Sequence, residues 1–267
     1  MTIIRPFLTI LLGFIAFSFC LVIFYRFSPV PYTPLMFWRS ASSLLSKERI
    51  GIEKKWVPLE EIAGSMQKSV IRAEDAKFYI HNGFDFEAIE AAMKYNKTHK
   101  KQKGASTISQ QTAKNVFLWP ARSWLRKGME AYFTVLIELF WSKKRILEVY
   151  LNVIELGRGV YGVEAAAQKF FHKKAKFLTR HEAALMAAVL PNPIKFKINK
   201  PSAYIMRRQR KIMGRAFVPA ITVPEPQLKV EDSKEFFDIK FDDEDDKENS
   251  KNDGGAESAD SAPAANE

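Results

Sequence analysis

The stretch Ile71-Arg72-Ala73-Glu74-Asp75-Ala76-Lys77-Phe78-Tyr79-Ile80-His81-Asn82-Gly83 decides how the chain is read. Upstream of it, Pro58 is a good first-turn residue, Glu60 and Glu61 suit a positive helix start, and Ile62, Met66 and Val70 fall four apart. The spacing predicts a helix that opens at Pro58 and delivers Glu74 at the end of an apolar stripe. A carboxylate there loses hydration, which raises its pKa toward the range of a general base. A solvated Glu-Asp pair at a helix end has the same local signature, so the stretch alone leaves both readings open.

Working outward, Asp85 reads as the N-cap of a second helix with Phe86, Ile89 and Met93 turned inward, followed by a basic loop over 94–103. Gly104-Ala105-Ser106-Thr107-Ile108-Ser109-Gln110-Gln111 places small and hydroxylic residues before a third helix. The unsatisfied N–H groups of a helix start suit an anion, and an ordinary capped helix reads the same way. Lys114 lies seven residues after Thr107, on nearly the same face. A long helical stretch from Ser123 toward Asn152, broken near Ser142, contains Arg126-Lys127-Gly128-Met129-Glu130. Arg126 and Lys127 stand four and three residues before Glu130. That spacing gives either a modest surface ion pair or a second carboxylate among phosphate-binding cations. Thr179-Arg180-His181-Glu182 has capping-box spacing before a helix that stops at Pro191-Asn192-Pro193. Strand patterns are scarce, and a mainly α domain over 45–218 is expected.

Three motifs fail on context. Gly157-Arg158-Gly159-Val160-Tyr161-Gly162 spells a dinucleotide fingerprint, but helical spacing precedes it and Glu182 already has a capping role. Ser65-Met66-Gln67-Lys68 spells the transpeptidase nucleophile motif, yet no Lys-Thr-Gly exists in the chain. The four histidines lack metal-site spacing, so no metal centre is expected.

The ends carry their own signals. Phe7–Tyr25 is 19 residues without a charge, bounded by Arg5 and Arg26. At 1.5 Å per residue it reaches roughly 28 Å, about the hydrocarbon core of a bilayer. Without a convincing cleavage site it reads as an uncleaved anchor, residues 1–27, with the bulk of the chain translocated outward. Three prolines in 28–34 predict an extended stalk over 28–44. Residues 231–267 carry 4 Lys/Arg against 14 Asp/Glu, a net of −10. Of the chain's 41 basic and 30 acidic residues, 37 and 16 therefore belong to 1–230, a net of +21. A basic body needs an anionic partner, be it nucleic acid, anionic lipid or a phosphate-bearing substrate. The acidic segment buries too little apolar surface to fold, and 219–267 is expected to be a linker and disordered tail. Cys20 is the single cysteine, so no intramolecular disulfide forms.

In their order, Glu74-Asp75-x-x-Phe78-x-x-His81-x-Gly83, Gly104-Ala105-Ser106-Thr107-Ile108-Ser109-Gln110-Gln111, Arg126-Lys127-x-x-Glu130 and Lys144-x-x-Leu147-Glu148-x-Tyr150-Leu151-Asn152 resemble the successive motifs of the peptidoglycan glycosyltransferases, family 51. The resemblance covers about 45–215 and, with no transpeptidase domain, is to the monofunctional form. It implies a mainly α, lysozyme-like, two-lobed domain. The implied reaction joins lipid II, a disaccharide-pentapeptide on undecaprenyl pyrophosphate, to a growing glycan strand with inversion.

By that resemblance Glu74 deprotonates the acceptor 4-hydroxyl and Glu130 is the second carboxylate. Lys114, Arg126 and Lys127 hold the pyrophosphate, while Ser106, Thr107, Gln110, Gln111 and Asn152 contact substrate. No cofactor is required, though a divalent cation helps some members. Expected partners are lipid II, the nascent strand, the membrane and other cell-wall synthesis or division proteins, not nucleic acid. The expected location is the inner membrane, single-pass, with the catalytic domain in the periplasm. Ala105 and Ser109 depart from the usual glycine and threonine. Phe117-Leu118-Trp119-Pro120 and Trp124 suit either an interfacial position or packing between helices. Two rivals stand beside this reading: a lysozyme-like hydrolase, which has no use for pyrophosphate-binding cations, and a non-enzymatic membrane-tethered scaffold or nucleic-acid binder, which leaves the ordered carboxylate motifs unexplained.

Overall fold

A computed structural model describes residues 4–44, 49–100, 102–121 and 123–214. The chain is mainly α, as expected, with ten α-helices and one small sheet among these residues. The expectation for 219–267, the end of the domain at 218 and the stub before residue 4 lie outside them.

Helix α1 (Ile4–Phe27) contains Leu8–Phe27, long and apolar enough to cross a membrane. Its C-terminal half is not isolated from the rest of the chain. The Trp141 indole donates to the Val22 carbonyl at 2.8 Å. Arg145 Nε donates to the Tyr25 carbonyl at 3.1 Å, and its Nη2 reaches the carbonyls of Tyr25 and Ser28 at 2.8 and 2.5 Å. The Tyr25 carbonyl is one of the last four that the end of α1 leaves without a partner in the helix, and a cation is well placed there.

The extended stalk is corrected beyond Thr33. Residues 28–33 carry no regular structure, but Pro34–Leu44 is helix α2. Proline at the first helical position lacks only an N–H that has no partner there, and the Thr33 hydroxyl accepts from Met36 N at 3.4 Å. The helix expected from Pro58 is also broken. A 3-10 turn at Leu59–Glu61 ends in extended Ile62, and α3 runs from Gly64 to Glu74. Ile62, Met66 and Val70 are still buried, and Ser65 Oγ donates to the Leu178 carbonyl, a packing role.

Asp85 caps α4 (Phe86–Thr98), accepting from Ala88 N at 2.9 Å. The inward face is not the expected one, and part of the expected loop is helix to Thr98. Ala88 is buried, while Phe86 and Met93, seven residues apart and on the opposite face, are 75% and 60% exposed. Thr107 and Gln110 form a capping box at the start of α5 (Ile108–Phe117). Ser123 caps α6 (Trp124–Phe140) and Ser142 caps α7 (Lys143–Val153), which puts the break where the sequence indicates it.

The glycine-rich segment is a hairpin. In the sheet, β2 (Glu155–Gly157) pairs antiparallel with β3 (Val160–Tyr161), and β3 pairs parallel with β1 (Glu53–Lys54). Gly159 has φ +74°, and a Cβ there would stand 2.4 Å from the Gly51 carbonyl oxygen. These glycines therefore serve a tight turn and a close backbone approach. Helix α8 (Val163–Phe171) follows, then α9 (Arg180–Val189), opened by the Thr179/Glu182 capping box, and α10 (Ala203–Met213).

The helices pack in two groups. Helix α3 lies against α9 and α10, while α5 lies against α6 and α7, with α1 along α6. Met66, Val70, Ile108, Ile137, Leu147 and Tyr150 belong to one continuous buried cluster. The C-terminal end of α3 meets the start of α5 where the two groups join.

Candidate active site

Glu74 occupies the last turn of α3 and Asp75 caps it, its N–H bonded to the Ile71 carbonyl. Asp75 Oδ2 accepts from Ile108 N at 2.9 Å, so this carboxylate satisfies a free donor at the start of α5. His81 Nε2 lies 2.9 Å from Asp75 Oδ1, and Gly83 N donates to His81 Nδ1 at 3.1 Å. With Nδ1 accepting, Nε2 carries the proton and donates to Asp75. Thr107 Oγ1 donates to the Gly83 carbonyl at 2.7 Å. Gly83 has φ +91°, and a Cβ there would meet Thr134 Cγ2 at 2.9 Å. These bonds tie the Glu74–Gly83 stretch to the start of α5, which fixes where Glu74 points.

Glu74 is nearly withdrawn from solvent, its side chain 14% exposed. Gln111 Nε2 donates to Glu74 Oε2 at 3.1 Å, and Tyr150 donates to Gln111 Oε1 at 3.1 Å. The tyrosine hydroxyl thereby orients the amide so that its NH2 faces the carboxylate. Arg208, on α10, brings Nη2 to 3.4 Å from Glu74 Oε1. Burial pushes the Glu74 pKa up, and Asp75 adds to that; Arg208, the Gln111 hydrogen bond and Lys114 pull back, and the net direction is upward. Burial first, then Glu74 and Asp75, raises the Tyr150 pKa well above its ordinary value, so the phenol keeps its proton.

Glu130 is buried differently. Arg126 Nη1 donates to Oε2 at 2.8 Å and Lys127 Nζ to Oε1 at 2.5 Å, so both oxygens are engaged by cations of the same helix. Arg126 is largely sheltered and Lys127 nearly half exposed. Lys114, on α5, lies within the field of both carboxylates. Its pKa is lowered, chiefly by burial; Glu130 and Glu74 favour its charge, while Arg126 and Lys127 oppose it.

The structure therefore brings together Glu74, Gln111, Lys114, Arg126, Lys127 and Glu130. Ser106 lies exposed at the rim, its carbonyl 3.4 Å from Gln111 Nε2. Thr107 and Gln110 are buried in their capping box and shape the start of α5 from beneath. Asn152 is a correction. It is fully buried, with Oδ1 accepting from Val57 N at 2.9 Å and Nδ2 donating to the carbonyls of Val57 and Glu148 at 2.8 Å each. An amide so engaged clamps the 57–59 segment to α7 and has no atom to offer a substrate. Arg208 and the orienting role of Tyr150 were missed. Arg207-Arg208-Gln209-Arg210-Lys211 is a visible basic run, but its partner lies 134 residues away. Among the described residues, no group of three or more His, Cys, Asp or Glu side chains forms a metal site.

Comparison with known proteins matches residues 42–217 to the model of the transglycosylase family. A biosynthetic peptidoglycan transglycosylase of Bdellovibrio bacteriovorus is 61% identical over 237 residues, 89% of this chain and 92% of that protein. Relatives of the same description from Bacteroides thetaiotaomicron and Caulobacter vibrioides are each 53% identical, over 76% and 72% of this chain and 82% and 81% of theirs.

Proposed function

From the premise that this chain belongs to the transglycosylase family and is a peptidoglycan glycosyltransferase acting on lipid II, we propose how its residues divide the work. Glu74 is the general base that takes the proton of the acceptor sugar's 4-hydroxyl as that oxygen attacks C1 of the lipid-linked strand. The bond from C1 to the diphosphate oxygen breaks, the configuration inverts, and undecaprenyl diphosphate leaves. The observation that carries this reading is the setting of Glu74: a buried carboxylate of raised pKa, held by one amide and one arginine, beside the Lys114/Arg126/Lys127/Glu130 cluster.

Lys114, Arg126 and Lys127 receive the charge that develops on the leaving diphosphate, where fixed cations are more effective than reorganising water. Glu130 holds two of those cations in place and is the counter-charge that keeps them together when substrate is absent. Gln111 positions Glu74, and Ser106 offers a polar edge at the rim. No resident cofactor is needed for a displacement of this kind; a divalent cation that stimulates it would accompany the diphosphate. A basic body and an apolar anchor support placing the enzyme at the outer face of an inner membrane, spanning it once through α1, with the domain in the periplasm.

The test is polymerisation of labelled lipid II by the purified full chain. Wild type is expected to make long glycan strands, while Glu74→Gln melts as wild type does and makes none. Full polymerisation by Glu74→Gln would remove Glu74 as the base.

A further inference from the structure

Three consecutive residues at the start of α5 each hold something different. The Thr107 hydroxyl donates to the Gly83 carbonyl, the Ile108 N–H donates to Asp75, and the Ser109 hydroxyl donates to Glu138 Oε1. The first two bonds grip the two ends of the Asp75–Gly83 segment that follows Glu74. The third leads to a carboxylate in the last turn of α6, between the third and fourth sequence motifs.

Glu138 is 11% exposed and Ser109 is fully buried. The same Oε1 accepts from Lys143 Nζ at 2.7 Å, across the break between α6 and α7. Lys143 Nζ also lies 4.8 Å from the centre of the Phe78 ring, within reach of a cation–π contact. The stem of Glu138 meets the far end of the segment, since a Cβ built on Gly83 would stand 3.0 Å from Glu138 Cγ. Glu138 and Lys143 thus back the segment at Gly83 and Phe78, while α5 grips it at Gly83 and Asp75. An ion pair so withdrawn from water offsets little more than its own desolvation, and apolar side chains of similar volume can hold such a junction as well. What they cannot supply is a directed acceptor for the buried Ser109 hydroxyl.

We propose that Glu138 is a positioning residue for the reaction: through Ser109 and Gly83 it sets the register of α5 against the Asp75–Gly83 segment, and so the place of Glu74 against Gln111. Gln111, the amide on Glu74, stands two residues after Ser109 in the same helix. The proposal rests on reading Glu74 as the base and names what fixes that base in place.

The experiment is steady-state polymerisation of labelled lipid II by the full chain in detergent, with a melting curve for each variant. Ser109→Ala removes the bond from α5 and leaves the Glu138–Lys143 pair intact. A displacement of roughly 1 Å can cost about 10²-fold in rate, so a smaller loss of register should lower kcat about tenfold and keep KM within about twofold. Ser109→Ala should melt close to wild type, and Ser109→Thr, which keeps the hydroxyl, should recover most of kcat. The acid limb of the kcat/KM profile should move to lower pH in Ser109→Ala, because a Glu74 out of register regains water and burial is the main cause of its raised pKa. A smaller folded fraction would leave that limb where it is. Ser109→Ala/Glu138→Met/Lys143→Met replaces the whole knot by apolar side chains. It should melt near wild type while its kcat stays at least as low as that of Ser109→Ala.

A wild-type kcat in Ser109→Ala overturns the proposal. So does a fall in kcat with the acid limb unmoved, which would make Glu138 a brace of the fold alone. A triple variant that polymerises like wild type also overturns it. If Glu74→Gln still polymerises, the reading of Glu74 fails; an inactive Glu74→Gln beside an unaffected Ser109→Ala defeats the role of Glu138 alone.

Discussion

Glu74 and Glu130 are both carboxylates withdrawn from water, and the two ends of the cleft treat them in opposite ways. Glu130 has a cation on each oxygen, both from its own helix at three- and four-residue spacing. Glu74 has a neutral amide on one oxygen and, on the other, an arginine at 3.4 Å that comes from a helix 134 residues away. A carboxylate with a cation on each oxygen is committed to holding those cations in place. One held mainly by an amide, with its pKa pushed up by burial, can take a proton and release it again. Separating the environments of two acids separates their roles.

The sharpest way to break this contrast is to neutralise each acid in turn. Glu74→Gln should lower kcat/KM at neutral pH by at least ~10³-fold, the upper range for losing a general base. The same change should not cost stability there. A carboxyl whose pKa is higher in the folded than in the unfolded chain stabilises the fold below the unfolded value, and that contribution is lost as pH rises through the folded one. At neutral pH the buried charge of Glu74 is therefore a burden, and the variant should melt at or above the wild-type temperature. The gap should close as pH falls below the ordinary glutamate value. A melting point well below wild type at neutral pH would sink this account of Glu74.

Glu130→Gln should behave in the reverse sense. It leaves Arg126 sheltered without its counter-charge, an effect on the order of 3 kcal/mol for a buried pair, with the half-exposed Lys127 adding little. Turnover should fall by about 10²-fold, with urea unfolding reporting the stability loss. A variant as stable as wild type would show that Glu130 does not hold the cations.

Arg208→Gln sharpens the comparison from the other end. Removing the cation that restrains the Glu74 pKa should move the acid limb of the kcat/KM profile to higher pH and cost about tenfold in rate at pH 7, with Arg208→Lys restoring part of it. An acid limb that does not move would separate Arg208 from the base. Asn152→Ala should have the smallest effect on substrate. KM for lipid II should remain within about twofold while stability drops by about 2 kcal/mol, since three buried hydrogen bonds to the clamp are lost. A large rise in KM would return Asn152 to the substrate-binding set.

What the sequence revealed and what it hid divide along the same line. Asp85, Thr107, Ser123, Ser142 and Thr179 all cap the helices their positions announced, because a cap is a bargain between neighbours three residues apart. The Arg126/Lys127/Glu130 cluster was legible for that reason too. The holders of Glu74 were not. Gln111 and Arg208 reach it from two other helices, Tyr150 orients Gln111 from a third, and no local spacing encodes which helices meet. Misreadings came where one local rule was read against another. Three prolines argue for extended chain, but the last of them stands at a first helical position, where proline is welcome. Phe86 and Met93 share a face by spacing, yet Ala88 on the opposite face is the one buried. Asn152 belongs to a conspicuous motif, and only its burial tells that the motif there serves the fold.

The bonds from Trp141 and Arg145 to the carbonyls of Val22, Tyr25 and Ser28 join α1 to the same framework that carries Glu130. Glu130 stands eleven residues before Trp141 on a nearly continuous helical path, roughly 17 Å at helical rise. Trp141 closes α6 and Arg145 stands on α7, so the bearing of the cations at the head of α6 is referred to α1 through these bonds. The first helix is thus a plumb line for the domain: an anchor bonded to the framework of the site, rather than a tether joined to it by slack chain.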